Sequence, residues 1–238
     1  MRRRPFDSLI KAVGSPYGAL LIVLFALLVL YPFLGYYNHF SWAFNFVSLG
    51  IVVAALRVTQ GRGAPYYLSL LLGLSFFVAD LLSRSLGMEW AHPYEAGLRV
   101  LFLGQLIVVI FTDIVGRRTV TMDAVLGASC IFVMLGLTFG SAYILIEWLV
   151  PGSFSFQALP QSLNSVFGQS STEYQLVYFS LVTMTTIGYG DIIPLAPPAR
   201  SLATIEGLLA QLYLAIIIAR LVGLEIASRL QNPEPVDE

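Results

Sequence analysis

Residues 185–191 read Thr-Thr-Ile-Gly-Tyr-Gly-Asp, and their types and spacing suit the binding of a dehydrated cation. Such a cation needs a ring of oxygens in place of its water, and successive backbone carbonyls can supply that ring. The carbonyls point the same way only if the backbone dihedral angles alternate between left-handed and right-handed values. Gly188 and Gly190 allow this alternation because they lack a Cβ. Thr186 can add a hydroxyl. One chain cannot close the ring, so the stretch predicts several copies around an axis; the alternative is a glycine-rich turn in an outer loop.

A short apolar helix is predicted immediately before this stretch. Residues 174–184 are apolar enough to be buried but too short to span a bilayer, which predicts a re-entrant helix. Ser170 and Glu173 have the spacing of a capping box at its start. The carbonyl end of the helix would then point toward a water cavity and favour a cation there.

The composition indicates a membrane protein. Of the 238 residues, 57% are hydrophobic and 11% are charged, and the mean hydropathy is +0.79. A soluble domain has about 25% charged residues, so we expect neither a soluble enzyme nor a disordered chain. The net charge of −1 provides no basic surface for a nucleic acid. The single cysteine, Cys130, lies in an apolar run and is expected to be buried.

Six apolar runs close to bilayer length predict an all-α membrane protein with six transmembrane helices. The runs cover residues 17–36, 42–58, 66–86, 97–115, 124–149 and 200–226. If the six helices alternate, three of the 13 Lys and Arg residues (Arg84, Arg99 and Arg200) fall on one side and the rest on the other. This asymmetry places both termini in the cytoplasm. The re-entrant helix and the stretch after it lie between the fifth and sixth helices.

Residues 183–191 resemble the selectivity filter of the tetrameric potassium channels, whose filter reads T-V-G-Y-G. Ile187 stands where valine is usual, and the Thr-Met-Thr-Thr of residues 183–186 matches the six-transmembrane, voltage-gated-like branch. The resemblance implies a homotetramer in a lipid bilayer that conducts K⁺ passively, with K⁺ as the permeant ion and no organic cofactor. It places K⁺ at the carbonyls of Thr186, Ile187, Gly188 and Tyr189, and Gly190 completes the filter.

The resemblance also implies residues that support the filter. Asp191 would lie behind the filter and brace it, with Thr185 at its other end. Glu147, near the outer end of the fifth helix, would brace the pore loop; the alternative is exposure at the interface. Residues 177–179 read Val-Tyr-Phe where that branch usually has a tryptophan pair. Gly207 in the last helix matches a gating hinge, and tight packing against the pore helix is the alternative.

The first four helices resemble a voltage-sensor domain in number and order only. A sensor carries arginines at every third position of its fourth helix. Here Arg99 and Arg117 stand at the two ends of such a series, and the positions between them carry no arginine. Asp80 resembles the acidic residue of a sensor's third helix, or it pairs with Arg84 one turn later. We expect little gating charge, because both arginines can reach opposite interfaces.

Three acids fall inside the predicted helices: Asp80, Glu147 and Glu206. Such acids can form the proton relay of a transporter, but the chain has one interrupted region, whereas transporters usually have one in each half.

The two histidines, His39 and His92, are expected to be solvated loop residues, with proton sensing as the alternative.

These observations divide the chain into a cytoplasmic segment, a voltage-sensor-like domain, a pore domain and a disordered cytoplasmic tail, over residues 1–16, 17–115, 124–226 and 227–238. The predicted function is a K⁺-selective channel of the plasma membrane that is not strongly voltage-gated. The short termini favour a prokaryotic protein without a cytosolic ligand-binding domain. Two alternatives are a voltage-gated channel with a reduced sensor and a non-conducting regulatory subunit that retains the pore fold.

Overall fold

The computed structural model describes residues 15–36, 41–85, 88–117, 119, 121–157 and 172–231; within these, the side chains of 30–36, 41–47, 84–85, 89, 225 and 228–231 are not described. The described part is mostly helical. Its helices are α1 (Pro16–Tyr36), α2 (Ser41–Thr59), α3 (Ala64–Asp80), α4 (His92–Gly116), α5 (Met122–Leu149), α6 (Thr172–Met184) and α7 (Pro197–Gln231). A π-helical turn, Leu81–Ser85, continues α3, and a 3-10 turn, Glu89–Ala91, precedes α4. Two short strands are β1 (Phe154–Phe156) and β2 (Ile192–Pro194).

Each predicted apolar run is helical, and four of the helices are long and apolar enough to cross a membrane. These four are Ala64–Ser83, His92–Gly116, Met122–Leu149 and Pro197–Leu224. The side chains of α1 and α2 are described over Pro16–Val29 and Ser48–Thr59 only. These two apolar stretches are shorter than the four helices above. The structure thus supports a mostly helical membrane protein, and the count of six spans stays a prediction.

Two helix ends differ from the predicted ones. α4 begins at His92, five residues before the predicted run, because Pro93 in its first turn suits a helix start although its neighbours are polar. His92 is therefore not a loop residue. α7 continues to Gln231, so the predicted disordered tail from residue 227 is wrong for its first five residues. The helix stops where Pro233 disfavours helical backbone at the residue before it.

Helices α1 and α4 pack on α5 of the same chain, α2 packs on α1 and α3, and α3 packs on α4. The buried core draws on all five helices and includes Leu24, Ala55, Phe76, Ile110 and Met134. The Cys130 thiol on α5 lies 3.3 Å from the Tyr17 carbonyl oxygen of α1, and Cys130 is fully buried, as predicted. The first four helices are therefore attached to α5 of their own chain through α1 and α4.

The two strands correct the prediction of an all-α fold. β1 pairs antiparallel with β2, and Ser155 lies opposite Ile193. Phe154 of β1 is buried between the rings of Tyr143 and Phe179, with centroid distances of 5.4 and 5.6 Å. The segment after α5 is thus anchored by an aromatic side chain, although its composition is polar. Three-residue strands are too short for an alternating pattern to be recognised in a sequence.

Candidate functional site

The backbone of residues 186–190, which we call the filter segment, alternates in hand as its glycines predict. The φ angle is +60° at Thr186, +58° at Gly188 and +78° at Gly190, whereas Ile187 and Tyr189 between them have negative φ. The left-handed φ of Thr186 was not predicted. A residue with a Cβ in this region is strained by about 1–3 kcal/mol, and such strain is typical of functional backbone.

Hydrogen bonds fasten the start of the filter segment to the last turn of α6. The Thr185 hydroxyl donates to the Leu181 carbonyl at 2.7 Å, and the Ile187 backbone N–H donates to the Val182 carbonyl at 3.0 Å. The last carbonyls of a helix need such partners. The Thr186 hydroxyl donates to the Thr185 carbonyl at 2.7 Å, and a hydroxyl that donates one bond keeps its acceptor lone pairs.

The side chains of the filter segment are exposed in the single chain. Ile187 is 53% exposed and Tyr189 is 68% exposed. The Tyr189 ring stacks on the Tyr178 ring of α6, with centroids 6.5 Å apart and planes 4° apart. The Tyr178 hydroxyl donates a hydrogen bond to the Asp191 carboxylate.

Asp191 joins the end of the filter segment to the strand pair. Its carboxylate accepts a hydrogen bond from the Ile192 backbone N–H at 3.1 Å, in the first residue of β2. Its carbonyl oxygen accepts another from the Gln157 backbone N–H at 2.9 Å, just after β1. Asp191 therefore fixes the chain direction where the filter segment becomes a strand.

Glu147, near the end of α5, forms hydrogen bonds at the start of the other strand, β1. Its two carboxylate oxygens accept hydrogen bonds from the backbone N–H groups of Gly152 at 2.9 Å and Phe154 at 3.1 Å. Because β1 pairs with β2, this contact connects α5 to the segment that leaves the filter. The geometry favours the bracing interpretation of Glu147 over simple exposure.

Two glycines one turn apart on α5 allow α6 to approach closely. A Cβ at Gly140 would lie 2.9 Å from the Val177 Cα, and a Cβ at Gly136 would lie 2.7 Å from the Leu181 Cδ2. Small residues at this spacing are typical of helix contacts in membranes. The Gly-x-x-x-Gly spacing is therefore the signal in the sequence that indicates the contact, although the predictions above did not use it.

We expect Gly140→Ala to lower the free energy of unfolding by about 1–3 kcal/mol per chain. The new methyl group would meet backbone rather than a flexible side-chain end, so α6 would have to shift. Thermal unfolding of the detergent-solubilised protein measures the change. Gly104→Ala in α4 is the matched control, because a Cβ there meets no described atom within 4 Å. Equal melting temperatures for the two variants would contradict the close contact.

Glu206 connects α5, α6 and α7, the three helices around the filter segment. The amino-acid sequence alone did not indicate this role. It is fully buried on α7. Its carboxylate accepts hydrogen bonds from the Tyr143 hydroxyl of α5, at 2.5 Å, and from the Ser180 hydroxyl of α6. The Ser180 hydroxyl also lies 2.7 Å from the Gly136 carbonyl oxygen. An acidic side chain in a membrane helix costs free energy unless it has such polar partners. This cost explains why the Tyr143 and Ser180 hydroxyls both contact the Glu206 carboxylate.

α7 is continuous through Gly207, the predicted hinge. A Cβ at Gly207 would meet no described atom of the chain within 4 Å. Gly207 therefore has no close neighbour among the described residues of one chain, and both the hinge and the alternative of tight packing against α6 stay predictions. Farther along α7, the Tyr213 hydroxyl donates to the Ala128 carbonyl of α5 at 2.7 Å, so α7 is attached to α5 on both sides of Gly207.

The arginine at the start of the predicted sensor series lies in a buried polar cluster. Arg99 Nη1 is 3.5 Å from Glu95 Oε1. The Ser83 hydroxyl lies 3.1 Å from both the other Glu95 oxygen and the Asp80 carbonyl oxygen. Asp80 is 2% exposed. The Arg84 side chain lies outside the described part of the chain, so its predicted pairing with Asp80 stays a prediction.

The arginine at the other end of the series is held at the end of α4. Arg117 Nη2 lies 2.9 Å from an Asp113 oxygen, and Arg62 Nη2 lies 2.9 Å from the other oxygen of the same carboxylate. Partial burial lowers the pKa of Arg117, but the hydrogen bond and the charge of Asp113 outweigh burial and raise it. The Tyr17 hydroxyl donates to Asp113 at 2.6 Å. Both arginines are therefore paired near opposite ends of one helix.

Arg220 connects α7 to the same end of α4. Its guanidinium donates to the Ile114 and Val115 carbonyls at 2.7 and 2.6 Å, and to the Arg117 carbonyl at 3.0 Å. A cation at a helix C-terminus satisfies free carbonyls and interacts favourably with the helix dipole. Arg220 therefore holds α7 against the end of α4.

Residues 131–224 match a family model described as "Ion channel". This part of the chain is therefore similar to the ion channel domains that the model describes. It includes most of α5 and all of α6, the filter segment and most of α7. The match covers less than half of the chain, and α1–α4 lie outside it.

Two potassium channels are similar to part of this chain. "Two pore potassium channel c" of Oryza sativa subsp. japonica is 29% identical over 99 residues, which are 39% of this chain. "Inward rectifier potassium channel Kirbac3.1" of Paramagnetospirillum magnetotacticum is 36% identical over 76 residues, which are 32% of this chain. The aligned part spans 22% of the length of each relative. No solved structure matches the chain significantly.

Proposed function

We propose that the protein is a K⁺-selective channel that conducts passively through a pore formed by four copies of the chain. The observation that carries the proposal is the left-handed φ at every second residue of the filter segment. That alternation is the backbone arrangement that presents successive carbonyls to a dehydrated cation. The match of residues 131–224 to an ion channel model and the similarity of part of the chain to two potassium channels support K⁺ as the ion. In this proposal the carbonyls of Thr186, Ile187, Gly188 and Tyr189 bind it.

Several copies of the chain would cover surfaces that one chain exposes. A single chain covers the filter segment on one side only. In a ring of four chains, the other copies cover the open side. α7 carries large exposed apolar side chains along most of its length, including Leu208, Leu212, Ile216, Ile218 and Val222. Lipid and neighbouring copies are the two environments that accept such a surface in a membrane. The exposed surface therefore supports a homotetramer in the bilayer.

The pore domain is assigned to residues 124–226, and the voltage-sensor-like domain to residues 17–115. In this assignment Thr185 and Asp191 hold the two ends of the filter segment, and Glu147 holds the strand beside it. Gly207 is the hinge at which α7 bends between closed and open states. In this proposal the protein lies in the plasma membrane, and the arginine and lysine distribution favours both termini in the cytoplasm.

We expect the open probability to depend weakly on voltage, by less than about one elementary charge per chain. Moving one charge across the field supplies only about 2.3 kcal/mol per 100 mV, and working sensors move three or four. Arg99 and Arg117 are instead paired at opposite ends of α4. Single-channel recording between about −100 and +100 mV measures the slope. A steep slope that Arg99→Gln abolishes would contradict this expectation.

A flux assay in liposomes tests the proposed function. The purified full-length chain is reconstituted with K⁺ inside and Na⁺ outside, and a potential-sensitive dye reports the membrane potential. We expect a K⁺ diffusion potential that protein-free liposomes lack. With the gradients exchanged, we expect a potential of similar size and opposite sign, because K⁺ still carries the charge. A potential whose sign follows the Na⁺ gradient, or none above the protein-free control, would contradict a K⁺-selective channel.

A further inference from the structure

His92, Glu95 and Glu173 bring three metal-ligating side chains together between the first turns of α4 and α6. One ligand atom from each residue lies within 4.8 Å of the other two. His92 Nδ1 is 3.4 Å from Glu173 Oε1. Glu95 is 1% exposed. His92 and Glu173 are 81 positions apart, so the fold rather than local sequence creates this group, which we call the His92 cluster.

We propose that the His92 cluster binds a divalent transition-metal cation of the Zn²⁺ type. An imidazole with two carboxylates is a donor set that suits Zn²⁺, whereas Ca²⁺ and Mg²⁺ prefer oxygen ligands throughout. Tetrahedral Zn²⁺ with bonds of about 2.0–2.1 Å holds its ligand atoms about 3.3–3.4 Å apart. The His92–Glu173 separation already has this value, and the remaining separations, which are at most 4.8 Å, must shorten when the cation binds.

The surroundings of the His92 cluster fit a three-ligand site that water completes. The side chains of His92 and Glu173 are 38% and 17% exposed, so water can reach the fourth position. The buried ligand, Glu95, has a fixed orientation because the Ser83 hydroxyl donates to its Oε2 at 3.1 Å. Outer-shell hydrogen bonds of this kind orient metal ligands.

Two other features act on the same carboxylates. First-turn acids interact favourably with helix N-termini, which accounts for Glu95 and Glu173 on each helix separately but not for their convergence on His92. Arg99 lies 3.5 Å from Glu95 Oε1, longer than the 2.7–2.9 Å of a strong charge-assisted hydrogen bond. The arginine therefore competes with a bound cation, and its removal should strengthen metal binding.

A cation in the His92 cluster would fasten α4 to the helix that carries the filter segment. Glu173 lies in the first turn of α6, and the filter segment follows the last turn. Binding itself does not depend on the proposed channel function. An effect of Zn²⁺ on K⁺ current would depend on it, so the test measures binding.

Calorimetric titration of the reconstituted full-length chain with ZnCl₂ tests the site. We expect one Zn²⁺ per chain. His92→Ala should weaken the affinity by more than about 100-fold, because even outer-shell partners contribute about 10–100-fold. His39→Ala removes the other histidine of the sequence and is the matched control, with unchanged affinity expected. Arg99→Gln should bind Zn²⁺ more tightly.

A second variant and a second measurement guard against a folding defect in His92→Ala. Glu173→Gln keeps the size of the side chain and should also weaken Zn²⁺ binding, with an unchanged melting temperature in metal-free buffer. Co²⁺ in place of Zn²⁺ should give tetrahedral visible absorption in the wild-type chain and lose it in both variants. The proposal is overturned if the wild-type chain binds no Zn²⁺, or if His92→Ala and Glu173→Gln bind it as tightly as His39→Ala does.

Discussion

Gly188→Ala should lower K⁺ flux by at least about 1,000-fold. Gly188 has a φ of +58°, which strains a residue with a Cβ by about 1–2 kcal/mol. Four copies in one pore combine to about 4–8 kcal/mol, and each 1.4 kcal/mol corresponds to a factor of ten. The chain would relieve the strain by turning the peptide, which removes its carbonyl from the ring of oxygens. Liposome flux of wild-type and variant protein measures the loss.

Gly61→Ala is the control for this substitution. Gly61 also has a left-handed φ, +79°, and a Cβ there would meet no described atom within 4 Å. It lies between α2 and α3, so the same strain falls outside the filter segment. We expect its flux to be unchanged. Equal K⁺ flux in Gly188→Ala, Gly61→Ala and wild-type protein would contradict the assignment of residues 186–190 as the conduction path.

Glu206→Ala should lower the free energy of unfolding by about 3–5 kcal/mol per chain. The change leaves a cavity where three helices meet, and the buried Tyr143 hydroxyl loses its acceptor. The Ser180 hydroxyl keeps the Gly136 carbonyl as a partner, so it contributes less. A chain of this length should then melt at a temperature lower by about 10 °C.

Glu206→Gln and a double-mutant cycle with Tyr143→Phe separate the hydrogen bond from the packing. Gln keeps the shape and one acceptor oxygen, so Glu206→Gln should lose less than half as much stability as Glu206→Ala. Residues in direct contact show coupling of about 0.5–3 kcal/mol, and we expect it for this pair. Additive effects of Tyr143→Phe and Glu206→Ala would show that the two side chains act independently.

The filter segment could be predicted because its chemistry resides in consecutive residues. Backbone carbonyls supply the oxygens, so two glycines at alternate positions identify the site without any tertiary information. Helix positions were predicted for a similar reason, because a bilayer demands long uninterrupted apolar runs. The ends of the runs were less certain. Polar residues at the start of α4 concealed its first turn, which Pro93 begins.

The contacts that surround the filter segment could not be predicted, because their partners are far apart in sequence. Tyr143 and Glu206 are 63 positions apart, and Ser180 and Glu206 are 26 apart. An isolated acid in an apolar helix indicates that partners exist but does not say which residues they are. Gly136 and Gly140 differ from these, since their spacing alone indicates a close helix contact.

The reversal potential of the purified protein in a planar bilayer tests the central claim most directly. Both compartments contain KCl and NaCl, in opposite ratios, and the full-length chain is the only protein present. We predict a current that reverses near the K⁺ equilibrium potential, because the carbonyls of residues 186–189 replace the hydration shell of K⁺. A current that reverses near zero or near the Na⁺ equilibrium potential would contradict a K⁺-selective filter in this segment.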